Sequence, residues 1–157
     1  MASDQQAASQ AGLGILRAGG SAADATVAVS LALALGVAEP CISCLGGDGF
    51  YHVWMAETGT STVYNGTGGT PLAATPERFV KSGIATEGPL STSTPGGLRG
   101  LYAMHGAHGG LPWSELAKLA IDLARDGFLA THAYRHYAGL SLDKLQVDPI
   151  SRIVYLD

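Results

Sequence analysis

The chain has 157 residues, of which 46% are apolar and only 14% charged, where an average soluble domain carries about 25% charged residues. That length suits one compact domain or a piece of a larger one, and so little charge implies a surface that lies largely against something else, the alternative being a small Gly- and Ala-rich domain. A net charge of −4 without any basic block excludes a nucleic-acid footprint, and the apolar run 22–38 is broken by Asp24, Thr26 and Ser30 and falls short of the roughly 20 residues that span a bilayer.

The opening Met-Ala-Ser-Asp-Gln-Gln has neither the basic start nor the apolar core of a secretory leader. The compartment stays open: cytoplasmic, or exported if a leader has been removed. Residues 5–18 read as a first helix, with Ser3 or Asp4 to cap it and Gly19-Gly20 to end it. Ser21-x-x-Asp24 is a short capping box, so a second helix starts there. It is apolar on nearly every face through residue 37, which predicts burial all round.

Residues 39–50, EPCISCLGGDGF, follow. Aromatic and branched residues at 50–56 read as a strand, 57–59 as a turn, and 60–64 as the returning strand of a hairpin. Residues 65–71 (NGTGGTP) form a loop, and Thr75-Pro76-Glu77 starts a short helix. The stretch 83–97 is turn-rich, with a small extended piece at 90–94. Pro95-Gly96 leads into a helix to about residue 105, broken at Gly109-Gly110. Pro112-Trp113-Ser114-Glu115 opens the next, which runs over 116–125 and stops at Gly127. A weaker helix covers 131–140, and 150–156 reads as a strand. A lone two-stranded hairpin is marginal, so this helix-rich α/β pattern is expected to complete itself against further structure.

Cys41 and Cys44 have a C-x-x-C spacing. A zinc site needs two more ligands, and none of His52, His105, His108, His132 or His136 pairs with them in a ligand pattern. His132 and His136 could share a helix face, but no glutamate completes a metalloprotease motif. A redox pair wants a helix start after its first cysteine, whereas Leu45-Gly46-Gly47 follows. Both cysteines therefore read as small buried residues. Gly46-Gly47-Asp48-Gly49 sits between a helix and a strand, the reverse of a phosphate cradle. It reads as a turn allowing close backbone approach, with pocket lining as the alternative. Asp24 reads as a helix-start residue, His52 as core or a packed polar contact, and His105 and His108 as helix-end groups that satisfy free carbonyls. No nucleophile-base pair or carboxylate pair is assigned by spacing.

Taken in order, ASQAGLGILRAGGSAADATVAVSLALALGVAEP, EPCISCLGGDGFYHVW, ATPERF, STSTPGGLRGLYAMHGAHGGLPWSELAKLAIDLARDGF and THAYRH resemble the N-terminal part of the large subunit of the gamma-glutamyltranspeptidase family. The match covers residues 2 to about 137. Its pieces are weakly specific singly and strong in sequence.

The resemblance implies a partial N-terminal nucleophile hydrolase fold, an αββα sandwich of which this chain supplies mostly helices and one hairpin of the central sheet. Residues 1–157 would then be one portion of a large subunit with no internal boundary. The precursor would cut itself, and the small subunit would carry the threonine nucleophile, whose own amine serves as base. A small-molecule amide would be the substrate and backbone amides would hold the oxyanion; no metal or organic cofactor, nucleic acid or membrane is implied. The threonine would lie beyond residue 157, so this chain alone is expected to be inactive. Family members place a carboxylate-binding arginine where this chain has Thr67, and an acid where it has Gly68. A hydroxyl cannot replace a guanidinium fork, so a glutathione-type substrate is not expected to be preferred. Leu119 replaces a usual proline, a local matter. By position, Thr67 and its neighbour Asn65 are the substrate-facing residues. The rival expectation is a truncated, non-catalytic relative that only binds or serves as a structural partner.

Overall fold

The computed structural model describes residues 1–36, 45–80 and 83–156. Two antiparallel helices begin the chain. α1 (Gln6–Arg17) ends where Gly19 takes φ +89°, a conformation costly for any residue with a Cβ. Its N-cap is Gln5 with no side-chain cap, so the expected cap by Ser3 or Asp4 is corrected. The Ser3 hydroxyl instead donates to the Gln5 carbonyl at 2.8 Å. α2 (Ala22–Leu31) starts with the full capping box: Asp24 N–H donates to Ser21 Oγ at 3.1 Å and Ser21 N–H to Asp24 Oδ2 at 2.8 Å. It runs on as a π-helical turn over Ala32–Gly36.

β1 (Phe50–Met55) and β2 (Thr60–Asn65) form the hairpin, with Phe50 opposite Asn65 and Met55 opposite Thr60. A single turn, α3 (Pro76–Phe79), follows. α4 (Gly97–His108) and α5 (Trp113–Asp126) come next, then α6 (His132–Leu140), α7 (Leu142–Val147) and α8 (Pro149–Tyr155). Three expectations fail here. The extended piece at 90–94 is replaced at its start by a 3-10 turn, Pro89–Ser91. α7 was not foreseen. The strand expected at 150–156 is α8: Asp148 caps it by accepting Ser151 N–H at 2.8 Å and Pro149 sits in the first turn. Ile150, Ile153 and Val154 fall at helical spacing, and the cap overrides their β-branched preference.

The core lies where α1, α4 and α5 meet α2. Alanines 8, 11, 23, 28, 32 and 120 let the helices approach closely, and Val27, Leu31, Leu101, Met104 and Leu116 fill the space between. β1 turns Tyr51, Val53 and Met55 toward the helices and Phe50, His52 and Trp54 outward. His52 is therefore exposed and reaches the Ser61 hydroxyl on β2; it is a polar contact and not core. Phe50 is 68% exposed and Trp54 61%. The whole chain exposes 10360 Å², where a compact 16.0 kDa protein exposes about 7,400 Å².

Candidate functional site

Three glycine-rich segments meet backbone to backbone. Gly96 and Gly97 N–H both donate to the Gly47 carbonyl, at 3.3 and 2.9 Å. Gly66 N–H donates to Gly49 O at 2.8 Å, and Gly49 N–H returns at 3.4 Å. Side chains cannot fit. A Cβ on Gly100 would lie 2.7 Å from the Gly66 Cα, and one on Gly68 only 1.3 Å from the Thr94 carbonyl oxygen. Within residues 39–50, close backbone approach is what Gly47 and Gly49 provide. Cys41 and Cys44 lie outside the described residues.

This junction fixes the loop after β2. Asn65 Oδ1 accepts Thr67 N–H at 2.8 Å, and Asp48 Oδ1 accepts Gly68 N–H at 2.8 Å. Asp48 Oδ2 takes the Ser93 hydroxyl at 3.5 Å. Tyr51 hydroxyl donates to the Gly97 carbonyl at 3.0 Å, tying β1 to the head of α4, and burial pushes this phenol above its ordinary pKa. The result is a cavity of about 340 Å³ whose wall includes Asn65, Thr67, Thr94 and Arg99. A second cavity of about 420 Å³, mostly apolar, shares Gly68 and Gly69 with it.

The sequence reading names Thr67 and Asn65 as substrate-facing by position, and both line this cavity. It missed Asp48 as the brace of the loop and Arg99 as its cation. The only signal for Arg99 was its place directly after the glycine-rich stretch.

A second polar cluster lies beneath. The Asp24 carboxylate is fully buried and takes N–H groups from Ser21, Gly110 and Leu111, the last two at 3.0 and 3.2 Å to Oδ1. His105 Nε2 lies 3.0 Å from the same oxygen and 3.1 Å from the Leu111 carbonyl. Trp113 Nε1 donates to His105 Nδ1 at 3.0 Å. Indole N–H is only a donor, so Nδ1 accepts and the ring proton sits on Nε2, facing Asp24. Burial pushes the Asp24 carboxyl up, but the converging N–H donors outweigh it and hold its pKa below the ordinary value. Asp24 is thus a helix-start residue, as read, and also the anchor of the α4–α5 turn. Among the described residues His108 satisfies no carbonyl; its Nε2 pairs with the Tyr64 hydroxyl at 2.8 Å. His132 and His136 share a face of α6 with stacked rings.

The helix pair, hairpin and glycine junction can be set beside known proteins. The gamma-glutamyltranspeptidase family model matches residues 8–157. The chain belongs to the gamma-glutamyltranspeptidase family. Among curated relatives of this family, glutathione hydrolase 2 of Arabidopsis thaliana is 40% identical over 135 residues, covering 82% of this chain and 22% of that protein. Among solved structures, the gamma-glutamyltranspeptidase of Helicobacter pylori superposes with a TM-score of 0.87 at 27% identity, over 96% of this chain and 44% of that one. The cephalosporin acylase of Bacillus halodurans gives 0.81 at 31% identity, over 91% and 27%. The chain spans about a fifth of the length of the curated relatives it matches. Its α/β architecture is that part of the family fold made of helices and one hairpin.

Proposed function

We propose that residues 1–157 form the N-terminal portion of the large subunit of a gamma-glutamyltransferase-like amidohydrolase or acyltransferase. The nucleophile in this reading is the N-terminal threonine of a small subunit, released by self-cleavage of the precursor. Its α-amine takes the hydroxyl proton as the oxygen attacks the amide carbonyl. Backbone N–H groups stabilise the oxyanion, the amine leaves with a proton, and water or a second amine resolves the acyl-enzyme. This chain contributes part of the acyl pocket, through Asn65 and Thr67, and none of the reacting atoms.

The observation that carries the reading is the braced loop. Asn65, Asp48 and the Gly68–Thr94 contact hold Thr67 at a cavity in a family whose relatives are named as glutathione hydrolases, glutathione hydrolase proenzymes and an acylase. The excess exposed surface, and the outward Phe50 and Trp54, support a covering partner. Thr67 offers no cation to a glutamyl α-carboxylate, which favours acyl groups other than glutamyl. The test is a comparison of kcat/KM on gamma-glutamyl-p-nitroanilide and on p-nitroanilides of acids lacking the α-amino-carboxylate. The second group is expected to be the better donors; a clear preference for gamma-glutamyl would overturn that assignment.

A further inference from the structure

The sequence sets His132 and His136 four residues apart, and α6 turns that spacing into one helix face. Their rings stand nearly parallel, 9° apart in plane with centroids 6.4 Å apart, and both residues are exposed. The other three histidines already have polar partners: His52 has Ser61, His105 has Asp24 and Trp113, and His108 has Tyr64. His132 and His136 make no hydrogen bond or ion pair among the described residues, and His136 has an edge contact with the Tyr137 ring. The backbone beneath them is fixed. Thr131 caps α6 by accepting Tyr134 N–H at 3.1 Å, and its hydroxyl also accepts from Gln5 Nε2 at 3.3 Å, while Tyr134 packs edge-on to Phe128. The first helical turn, where His132 sits, is thereby held against fraying.

Two imidazoles on adjacent turns, about 6 Å apart along the axis, can act as one chelate. Rotation about χ1 and χ2, open to exposed rings, aims a nitrogen of each at the space between them, and a cation about 2.0–2.1 Å from both then bridges the turn. We propose that His132 and His136 form a site for a divalent cation of the nickel, copper and zinc group, with water in its remaining positions. The donor set decides the class: imidazole suits these ions, whereas magnesium and calcium want oxygen ligands. No third histidine, cysteine or carboxylate joins the pair among the described residues, so the ion is held reversibly and not in a closed structural centre. The site shares no residue with the Thr67 cavity and is independent of the amidohydrolase reading.

The experiment is a calorimetric titration of the intact protein with Ni(II), and in parallel with Mg(II), in a neutral buffer that does not chelate. The two ligands act as a unit, so His132→Ala and His136→Ala are each expected to weaken Ni(II) binding by about 10-fold or more, and the double substitution to cost little beyond either. A relocated histidine separates geometry from histidine count. Gly139 is exposed and a Cβ there meets nothing within 4 Å. Combining His136→Ala with Gly139→His returns an imidazole to the same face about 10.5 Å along the axis from His132, too far to share one ion, and affinity should stay at the level of His136→Ala. Ni(II) should also raise the thermal midpoint of the wild type more than that of His136→Ala. These positions are exposed, so without metal the variants should keep a midpoint near that of the wild type. Unchanged Ni(II) affinity in either single variant, full recovery in the relocated one, or Mg(II) bound as tightly as Ni(II) overturns the proposal.

Discussion

Asp24, at the head of α2, and His105, near the end of α4, meet through a 3.0 Å contact although they are 81 residues apart in sequence. The contact closes a ring: Asp24 also holds the Gly110 and Leu111 N–H groups, and His105 accepts from Trp113. One buried carboxylate therefore fixes the turn between α4 and α5 against α2, and α4 in turn carries Arg99 and Gly100 to the cavity.

Asp24→Ala should be severely destabilising. It leaves four N–H groups facing an apolar hole, and breaking a buried charged cluster costs about 3–5 kcal/mol. Urea unfolding followed by tryptophan emission measures it. Asp24→Asn keeps the volume but turns an amide toward donors, and should recover little.

The same group sets an acid limit. Its folded pKa lies below the ordinary 3.8, so its contribution is fully present above that value and is lost as pH falls through the depressed folded value. Wild-type stability should decline below about pH 4, and the difference between wild type and Asp24→Ala should shrink there. A difference that stays constant down to the folded pKa and beyond would contradict the assignment.

Gly68→Ala should disturb the Thr67 loop, because the added Cβ meets the Thr94 carbonyl at 1.3 Å and backbone must move. Gly69→Ala is the comparison: its Cβ meets nothing within 4 Å. The expected stability cost is about 2 kcal/mol or more at residue 68 and within about 0.5 kcal/mol at residue 69, read from thermal unfolding.

Thr67→Arg should restore a guanidinium at the loop position that the family resemblance assigns to carboxylate binding. In the intact protein, kcat/KM for gamma-glutamyl-p-nitroanilide is expected to rise about 10-fold or more. No rise would mean that residue 67 does not face the acyl donor.

Local signals made much of this fold legible. Ser21-x-x-Asp24 marked the start of α2, and the aromatic and branched run at 50–56 followed by a Gly59 turn marked the hairpin. The glycines at 46–49 announced close approach but not its partners, because Gly66 and Gly97 are distant in sequence. Asp24 looked like a cap because its cap bonds are local; its pairing with His105 and the α4–α5 turn is tertiary and left no spacing signal. Ile150, Ile153 and Val154 favour a strand by composition, whereas the Asp148-Pro149 start makes this segment α8. Thr67 and Asn65 were reached through the family resemblance; Arg99 needed the cavity.

The central claim is that this chain works as part of a self-processed enzyme. Its most direct test is the intact mass and N-terminal sequence, under denaturing conditions, of everything that copurifies with this chain from its native source. The account predicts a longer large subunit containing these residues and a smaller chain beginning with threonine. A single species of 16.0 kDa, with no threonine-initiated partner, would contradict it.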